Sequence, residues 1–516
     1  MKKIIKYSAI CVAMSLLSAP VFADQVIESD VVVVGGGFSG LAAAATAQER
    51  GVKTVVLEKM AFIGGAGNFP EGSLGIGTRL QKKEGIDITP EKVFERVMDF
   101  HHWRVNAPVI KTLLVNSGAT IDWLEDIGVK FKGIKTSFPP EKTLHTWHIY
   151  QGGGSAAVKA MSDDFKGKGG KILTKTPVQK LLFDAKGNII GVEAKNAAGE
   201  KITVHARNVI LSTGGFASNK AMLKKYVPDV NTPGLERVMY RGPVVDGRNG
   251  DGINMAISAK AALAGMGTLA GNSPYLDDEP PINQFMGPDS LKQAHAALIQ
   301  PFLWINKHGE RFYNESAGSS FSDVYNALTV NDGLMYSIFD EKMKQRMIND
   351  GPLIPFNAIV VPGHKMTDLD EGINRGFKVG YAFKADTIDE LAKKINVPAD
   401  ALKASINKVN TYSDNKADPD FNRKPEHLVK FDTQAGPYYA LKGLRAFFLT
   451  LGGVKVNVHM QALDDKGNPI KGLFVTGQDI GGLYDSTYDL LAEGSASSFA
   501  LTSGRIAANY IADNKK

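Results

Sequence analysis

The sequence predicts an α/β fold: one largely parallel sheet assembled from both chain ends, with an α+β segment of different character inserted between them. Three observations predict it. The run VVVVGGGFSGLAAAATAQERGVKTVVLEK from Val31 joins an apolar strand, a glycine turn, a small-residue helix and a second strand ending in Glu58. Two more strand-and-turn signals, NVILSTGGF from Asn208 and GLFVTGQDIGG from Gly472, lie far apart in the chain. Between them the punctuation changes. A helix is expected to begin at Asp386-Thr387, with Thr387 and Glu390 forming a capping box in TIDELAKKI. The Pro- and Asp-rich stretch DNKADPDFNRKPEH is expected as a surface loop.

In chain order, MKKIIKYSAICVAMSLLSAPVFA places Lys2, Lys3 and Lys6 before an apolar stretch from Ser8 to Leu17, then small residues up to Ala23. This reads as a secretory signal peptide over residues 1–23. Its apolar run is too short to span a bilayer, so the mature protein is expected in the periplasm. In the glycine turn, Gly35 makes the tight bend and Gly37 lets backbone N–H groups approach a pyrophosphate at the helix N-terminus. Gly40 allows close helix–strand packing, and Glu58 is placed for a ribose hydroxyl, so a dinucleotide is the expected ligand. Strand-like Ile189–Ala194 and Ile202–Ala206 precede the second signal, and SASSFALTSGRIAANYIA is expected as the closing helix. A Rossmann-like domain is therefore assigned to residues 24–270 and 449–516, with an inserted domain at 271–448.

Composition excludes several chemistries. The one cysteine, Cys11, lies in the leader, which removes disulfides, zinc-thiolate sites, iron–sulfur clusters and C-x-x-C-H haem attachment; no metal site is expected. Without the three leader lysines the chain is close to charge balance, so neither nucleic acid nor an anionic membrane is expected as a partner. No later window approaches a transmembrane length of apolar residues. His101-His102 lacks metal-ligand spacing and reads as surface.

With these residues in view, the chain resembles the flavoprotein family of fumarate reductases, urocanate reductases and 3-ketosteroid dehydrogenases. The matching motifs are GGGFSG (with Phe38 and Ser39) followed by Glu58-Lys59, then Gly64-Gly65 with Gly67-Asn68, and TGGF at Thr213, Gly214 and Gly215. Gly250-Asp251-Gly252, NKHGERFYNE from Asn306, GPYYA from Gly436, Thr450 with Gly452-Gly453, TGQ at Gly477, and GSAS with SGRIAA complete them. The resemblance implies FAD as cofactor, with the insertion capping the flavin. No cysteine remains and no histidine stands beside Gly64–Asn68, so the FAD is expected to be non-covalent. Gly494, Ser495 and Ala496 would begin a helix aimed at the flavin N1–C2=O edge, where it stabilises negative charge on the reduced ring. A single nucleotide fingerprint leaves no second unit for NAD(P)H. A separate periplasmic cytochrome c is the expected electron donor.

The catalytic pattern departs from the fumarate reductases. Aligned on RFYNE, their proton-donor arginine falls at Ser319, and the acid and arginine of their proton relay fall at His295 and Leu298. Two consecutive histidines are replaced by Phe448-Leu449, and a second carboxylate-binding arginine falls at Tyr484 or Leu491. A buried carboxylate without a cationic partner costs several kcal/mol, which argues against a small dianion. A flatter, more apolar substrate is expected, bearing a carbonyl to take up the enolate charge, such as an aryl-acrylate or a cyclic enone. Tyr488, in YDSTYDLL, resembles the tyrosine that ketosteroid dehydrogenases set against a carbonyl and is expected as proton donor, with Tyr484 lining the same mouth. Arg241 is the basic residue chosen for a remaining carboxylate, ahead of Arg445 and His148; His148 aligns roughly with an HRP-type motif that has lost its arginine and proline. Phe448, Leu449 and Gly452 complete the expected substrate wall. The expected function is reduction of the C=C bond of an α,β-unsaturated carboxylate or carbonyl compound. The alternatives are a ketosteroid-type dehydrogenase and a flavin-carrying electron-transfer protein.

Overall fold

The structure, a computed structural model, describes residues 25–136, 144–227, 246–277, 287–356, 360–489 and 491–515. The expected leader, with Cys11, and Arg241 lie outside the described residues. Valine is stiff at χ1 and suits a strand covered on both faces; Val31–Val34 is such a strand, buried throughout. It sits inside a six-stranded sheet ordered Gln461–Leu463, Pro469–Val475, Asn208–Leu211, Val31–Val34, Thr54–Leu57, Lys171–Leu173. The five strands from Pro469–Val475 to Lys171–Leu173 are parallel, and Gln461–Leu463 runs antiparallel at the edge. Register aligns Val34 with Leu57 and Leu211, and Leu211 with Val475. Four carboxyl ends, contributed by both ends of the sequence, therefore finish on one line, the edge where a doubly wound sheet places its ligand.

Helix Phe38–Glu49 is buried on every side from Phe38 to Ala47, and Ala42–Ala45 expose no surface, as expected of a helix held between a sheet and another helix. Its entry requires glycine. Gly35 has φ +106°, and a Cβ there would strike the Ser212 carbonyl oxygen; a Cβ on Gly40 would strike the Gly35 carbonyl oxygen. Helix Ser495–Asp513 packs against this first helix and closes the chain. A four-stranded sheet, Gln25–Glu28, Lys201–His205, Ile189–Lys195 and Val178–Phe183, stands beside it.

The intervening segment has a second hydrophobic core around Trp304, Phe339 and Phe356. Its sheet joins Tyr275–Leu276, Tyr438–Leu444, Leu334–Asp340 and Leu303–Ile305, with Ala382–Ala385 also paired to Tyr438–Leu444. The chain enters and leaves this region through the antiparallel pair Leu269–Gly271 and Phe447–Thr450.

Three local expectations are corrected here. Thr387 caps helix Ile388–Ile395 by accepting the Glu390 N–H, which is one half of the capping box. DNKADPDFNRKPEH stays at the surface over most of its length, but Asp418 and Arg423 turn inward, where Arg311 and Glu315 stand as counter-charges. His101 is buried against Tyr484, and desolvation pushes its pKa down to about 4, so it stays neutral.

Candidate flavin and substrate site

A cavity of about 600 Å³ opens along the carboxyl edge of the six-stranded sheet. Gly35, Gly37, Phe38 and Ser39 of the first turn line it, as do Glu58, Lys59, residues 64–68, Thr213, Gly214, Asp251, Gly494 and Ala496. Three helices point their N-termini at it. Helices Phe38–Glu49, Gly153–Gly167 and Ser495–Asp513 begin at Gly37, Gly152 and Gly494, none with a side-chain cap, and all three cap residues line the cavity. Thr89 and Asp340 cap other helices with their own side chains, whereas these three starts leave their first N–H groups facing the cavity. The unsatisfied N–H groups at the cavity and the positive ends of those helix dipoles suit an anionic diphosphate and a ring that becomes negative on reduction, so the residues present fit FAD.

The acids around this cradle are braced rather than loose. Glu58 accepts the Gly36 N–H at 2.7 Å and the Met60 N–H at 2.7 Å, and burial raises its carboxyl pKa in spite of both bonds. The carboxylate is thereby fixed at the end of its strand, with lone pairs left for a ribose hydroxyl. Lys59 pairs with Asp251 at 2.5 Å.

Asp479, which the sequence reading passed over, is buried and organises the second turn: it accepts the Thr213 N–H at 2.5 Å, the Gly215 N–H at 2.8 Å and the Thr213 hydroxyl at 2.9 Å. Its position directly after TGQ was the signal available. Gly40, Gly215, Gly477 and Ser495, expected at the cofactor, stand behind the cavity wall; Gly477 donates its N–H to the Ser503 hydroxyl oxygen at 3.0 Å.

At the far side the same cavity is walled by Phe448, Leu449, Phe321, Pro355 and Tyr488. The Phe448 and Tyr488 rings meet edge to face at 6.0 Å. Ser319 lines this end as well. Burial raises the Tyr488 pKa, while the Ala496 N–H, donating to its oxygen at 3.3 Å, acts in the opposite sense.

Several expected residues fall elsewhere. Tyr484 does not line the cavity; its ring packs in the core and its hydroxyl meets Ser495 Oγ at 3.1 Å. His148 is also absent from the wall: its Nε2 lies 2.8 Å from Thr78 Oγ1, its Nδ1 lies 2.8 Å from the Thr146 carbonyl, and burial holds its pKa at about 4. Gly452 lies outside the wall, where its missing side chain makes room for the 265–266 backbone. Arg248 was missed. It stands seven positions after Arg241 in the same glycine-rich segment, is buried, lines the cavity, and donates to the Phe448 carbonyl at 2.6 Å.

The fold and the cradle together define a flavin-dependent oxidoreductase. The chain belongs to the FAD binding domain family, whose match runs over residues 30–494, and it binds FAD non-covalently and acts on CH–CH or C=C bonds. It is 34% identical to a vinyl phenol reductase of Lactiplantibacillus plantarum, covering 94% of this chain and 96% of that one. It is 29% identical to a urocanate reductase of Eggerthella lenta, covering 88% and 70%. Among solved structures it superposes on the 3-ketosteroid-delta4-(5alpha)-dehydrogenase of Rhodococcus jostii RHA1 with a TM-score of 0.70 and 25% identity, covering 96% and 99%. No helix among the described residues is long and apolar enough to cross a membrane.

Proposed function

We propose that this protein is a periplasmic reductase of an aryl-conjugated C=C bond, an aryl-acrylate or a vinyl phenol, with electrons drawn from a separate cytochrome c. The observation that carries the reading is the apolar wall of Phe448, Leu449, Phe321 and Tyr488 in the same cavity as the flavin cradle. Of the cations that line the cavity among the described residues, Lys59 is paired with Asp251, and Arg248, which gives one hydrogen bond to the neutral Phe448 carbonyl, is a single positive charge against a dianion's two. A dianion such as fumarate would enter with too little compensation. A flat ring is favoured by the same wall, at roughly 25 cal/mol for each Å² of apolar surface removed from water. The vinyl phenol reductase relative supports the aryl class, since its named substrate is an aryl alkene.

Reduced FAD, when bound, supplies a hydride to one carbon of the double bond. The work of the chain is to hold the substrate flat between the aromatic wall and the cradle, to exclude water, and to deliver a proton from the Tyr488 hydroxyl to the other carbon. Segment 271–448 is assigned as the cap that closes over the substrate, moving about the paired strands Leu269–Gly271 and Phe447–Thr450. The test is anaerobic reoxidation of viologen-reduced protein by 4-vinylphenol, cinnamates, urocanate, acrylate, cyclic enones and fumarate. Rapid reoxidation by the aryl compounds, with fumarate slower by about 100-fold or more, is the expected result. Fumarate equal to the aryl acceptors would overturn the reading. The likeness to the Rhodococcus structure favours a second reading, oxidation of a saturated ketosteroid-like ketone, which predicts that oxidised protein is bleached by that ketone.

A further inference from the structure

The oxygen of Tyr488 is reached from the first turn of the closing helix. The Ala496 N–H donates to it at 3.3 Å, and Ser495, one residue earlier, interacts with the same hydroxyl in the sense that favours its ionised form. Behind Ser495 stands Tyr484, its Oη 3.1 Å from Ser495 Oγ and its ring tilted against that of Tyr488 at 5.4 Å. Tyr484 and Ser495 are buried and outside the cavity wall, whereas Tyr488 lines it.

This arrangement sets the direction of each hydrogen. The closing helix begins at Gly494 with no side-chain cap, so its first N–H groups are donors in want of an acceptor, and the Tyr488 oxygen serves as one. A hydroxyl oxygen that already receives a backbone N–H has its own proton left for the cavity. Ser495 is free to donate toward Tyr488 when it accepts from Tyr484. We propose that Tyr484 and Ser495 are positioning residues that turn the Tyr488 O–H toward the bound double bond and hold the phenolate left behind.

The inference rests on the assignment of Tyr488 as proton donor above. In the balanced step, hydride and its electron pair reach one carbon from the reduced cofactor, the Tyr488 O–H bond breaks, and a C–H bond forms at the other carbon. Water reprotonates the phenolate after product leaves, and the external reductant restores the two electrons. The charged groups facing Tyr488 are Asp489 and Glu493, which oppose a phenolate; Arg96 faces Asp489, and the neutral His101 ring meets the Tyr484 ring. The Ala496 and Ser495 donors work against that opposition.

The experiment is stopped-flow reoxidation of viologen-reduced holoenzyme by 4-vinylphenol and by 4-hydroxycinnamate in H2O and D2O, for the parent, Ser495→Ala, Ser495→Thr, Tyr484→Phe and Tyr488→Phe. Ser495→Ala and Tyr484→Phe are expected to keep full flavin content and KM, to slow reoxidation about tenfold or more with a larger solvent isotope effect, and Ser495→Thr to restore the parent rate. If Ser495→Ala and Tyr484→Phe match the parent in rate and isotope effect while Tyr488→Phe is severely slowed, the positioning roles are wrong and the donor stands. If Tyr488→Phe itself reacts at the parent rate, the donor assignment fails and the positioning roles fail with it. Should Ser495→Ala lose flavin, the outcome is read from Tyr484→Phe and Ser495→Thr, which leave the helix start intact.

Discussion

At the scale of single residues, the site depends on side chains whose neighbours fix their charge and direction. Glu58 accepts two backbone N–H groups through its two carboxylate oxygens. Glu58→Gln presents an amide nitrogen to one of those donors, and a charge-assisted bond of about 1.5–3 kcal/mol is exchanged for a repulsion, so FAD affinity should fall by about tenfold or more. Flavin retained through gel filtration, read against protein absorbance, measures it; full retention would contradict the assigned role. His295 makes a separate prediction. It is fully buried, stacked on Phe356 at 4.7 Å, and desolvation outweighs the Pro274 carbonyl to push its pKa down to about 3. Because the folded value lies below the unfolded one of about 6.5, the unfolded chain takes up the proton first, and stability falls as pH drops below that value. Removing the ring nitrogens in His295→Phe should flatten this dependence by about 2 kcal/mol between neutral pH and pH 5, at 1.36 kcal/mol per unit. Urea unfolding at the two pH values decides it, and parallel curves for parent and variant would refute the buried-neutral assignment. The glycines and Glu58 were legible in the sequence because a turn or an acid at a fixed distance signals its partner locally, whereas Tyr488 was singled out by resemblance to the tyrosine of ketosteroid dehydrogenases. Arg248 was not legible, and Asp479 was marked only by its place after TGQ, since what each touches, Phe448 and Thr213, is brought to it only by the folded sheet.

At the scale of elements, the sequence shows where strands and helices lie more readily than which loops turn inward. Val31–Val34, Asn208–Leu211 and the closing helix announce themselves by unbroken apolar or small-residue runs. The stretch 414–427 carries the composition of a surface loop, yet Asp418 meets Arg311 at 2.7 Å, Arg311 meets Glu315 at 2.7 Å, and the Arg423 side chain has no exposed surface. Two arginines and two acids thereby join segments more than a hundred residues apart, a pairing that no local pattern encodes. Burial penalises each charge, and the network is tolerable because the four charges balance. Asp418→Ala should therefore cost about 3–5 kcal/mol by leaving Arg311 under-compensated in the interior, whereas an exposed pair such as Lys430 with Asp414 should be worth no more than about 1 kcal/mol. Denaturant midpoints of Asp418→Ala and Asp414→Ala, measured on the flavin-loaded protein, test the contrast; equal shifts would show that the network contributes nothing special.

At the scale of the whole molecule, the cofactor is held between the two ends of the chain. Gly37 and Gly494 begin helices that are neighbours in space and separated by almost the full sequence, and both face the same cavity. FAD bound there favours the native state by RT ln(1 + [L]/Kd), about 2.7 kcal/mol at a hundredfold excess over Kd, so Tm should climb with added FAD and drop when flavin is stripped. Non-covalent binding further requires that acid precipitation release all the yellow colour into the supernatant. Electron supply follows from the same architecture. One Gly35–Gly40 fingerprint serves one dinucleotide, and no second copy of that strand–turn–helix signal is present in the sequence. NADH offered anaerobically to the oxidised protein is therefore expected to leave the flavin spectrum unchanged over minutes, while a reduced c-type cytochrome of low potential bleaches it and is itself oxidised continuously once an aryl acceptor is added. Flavin reduction by NADH as fast as turnover would place the electron source inside this chain and remove the need for a separate donor.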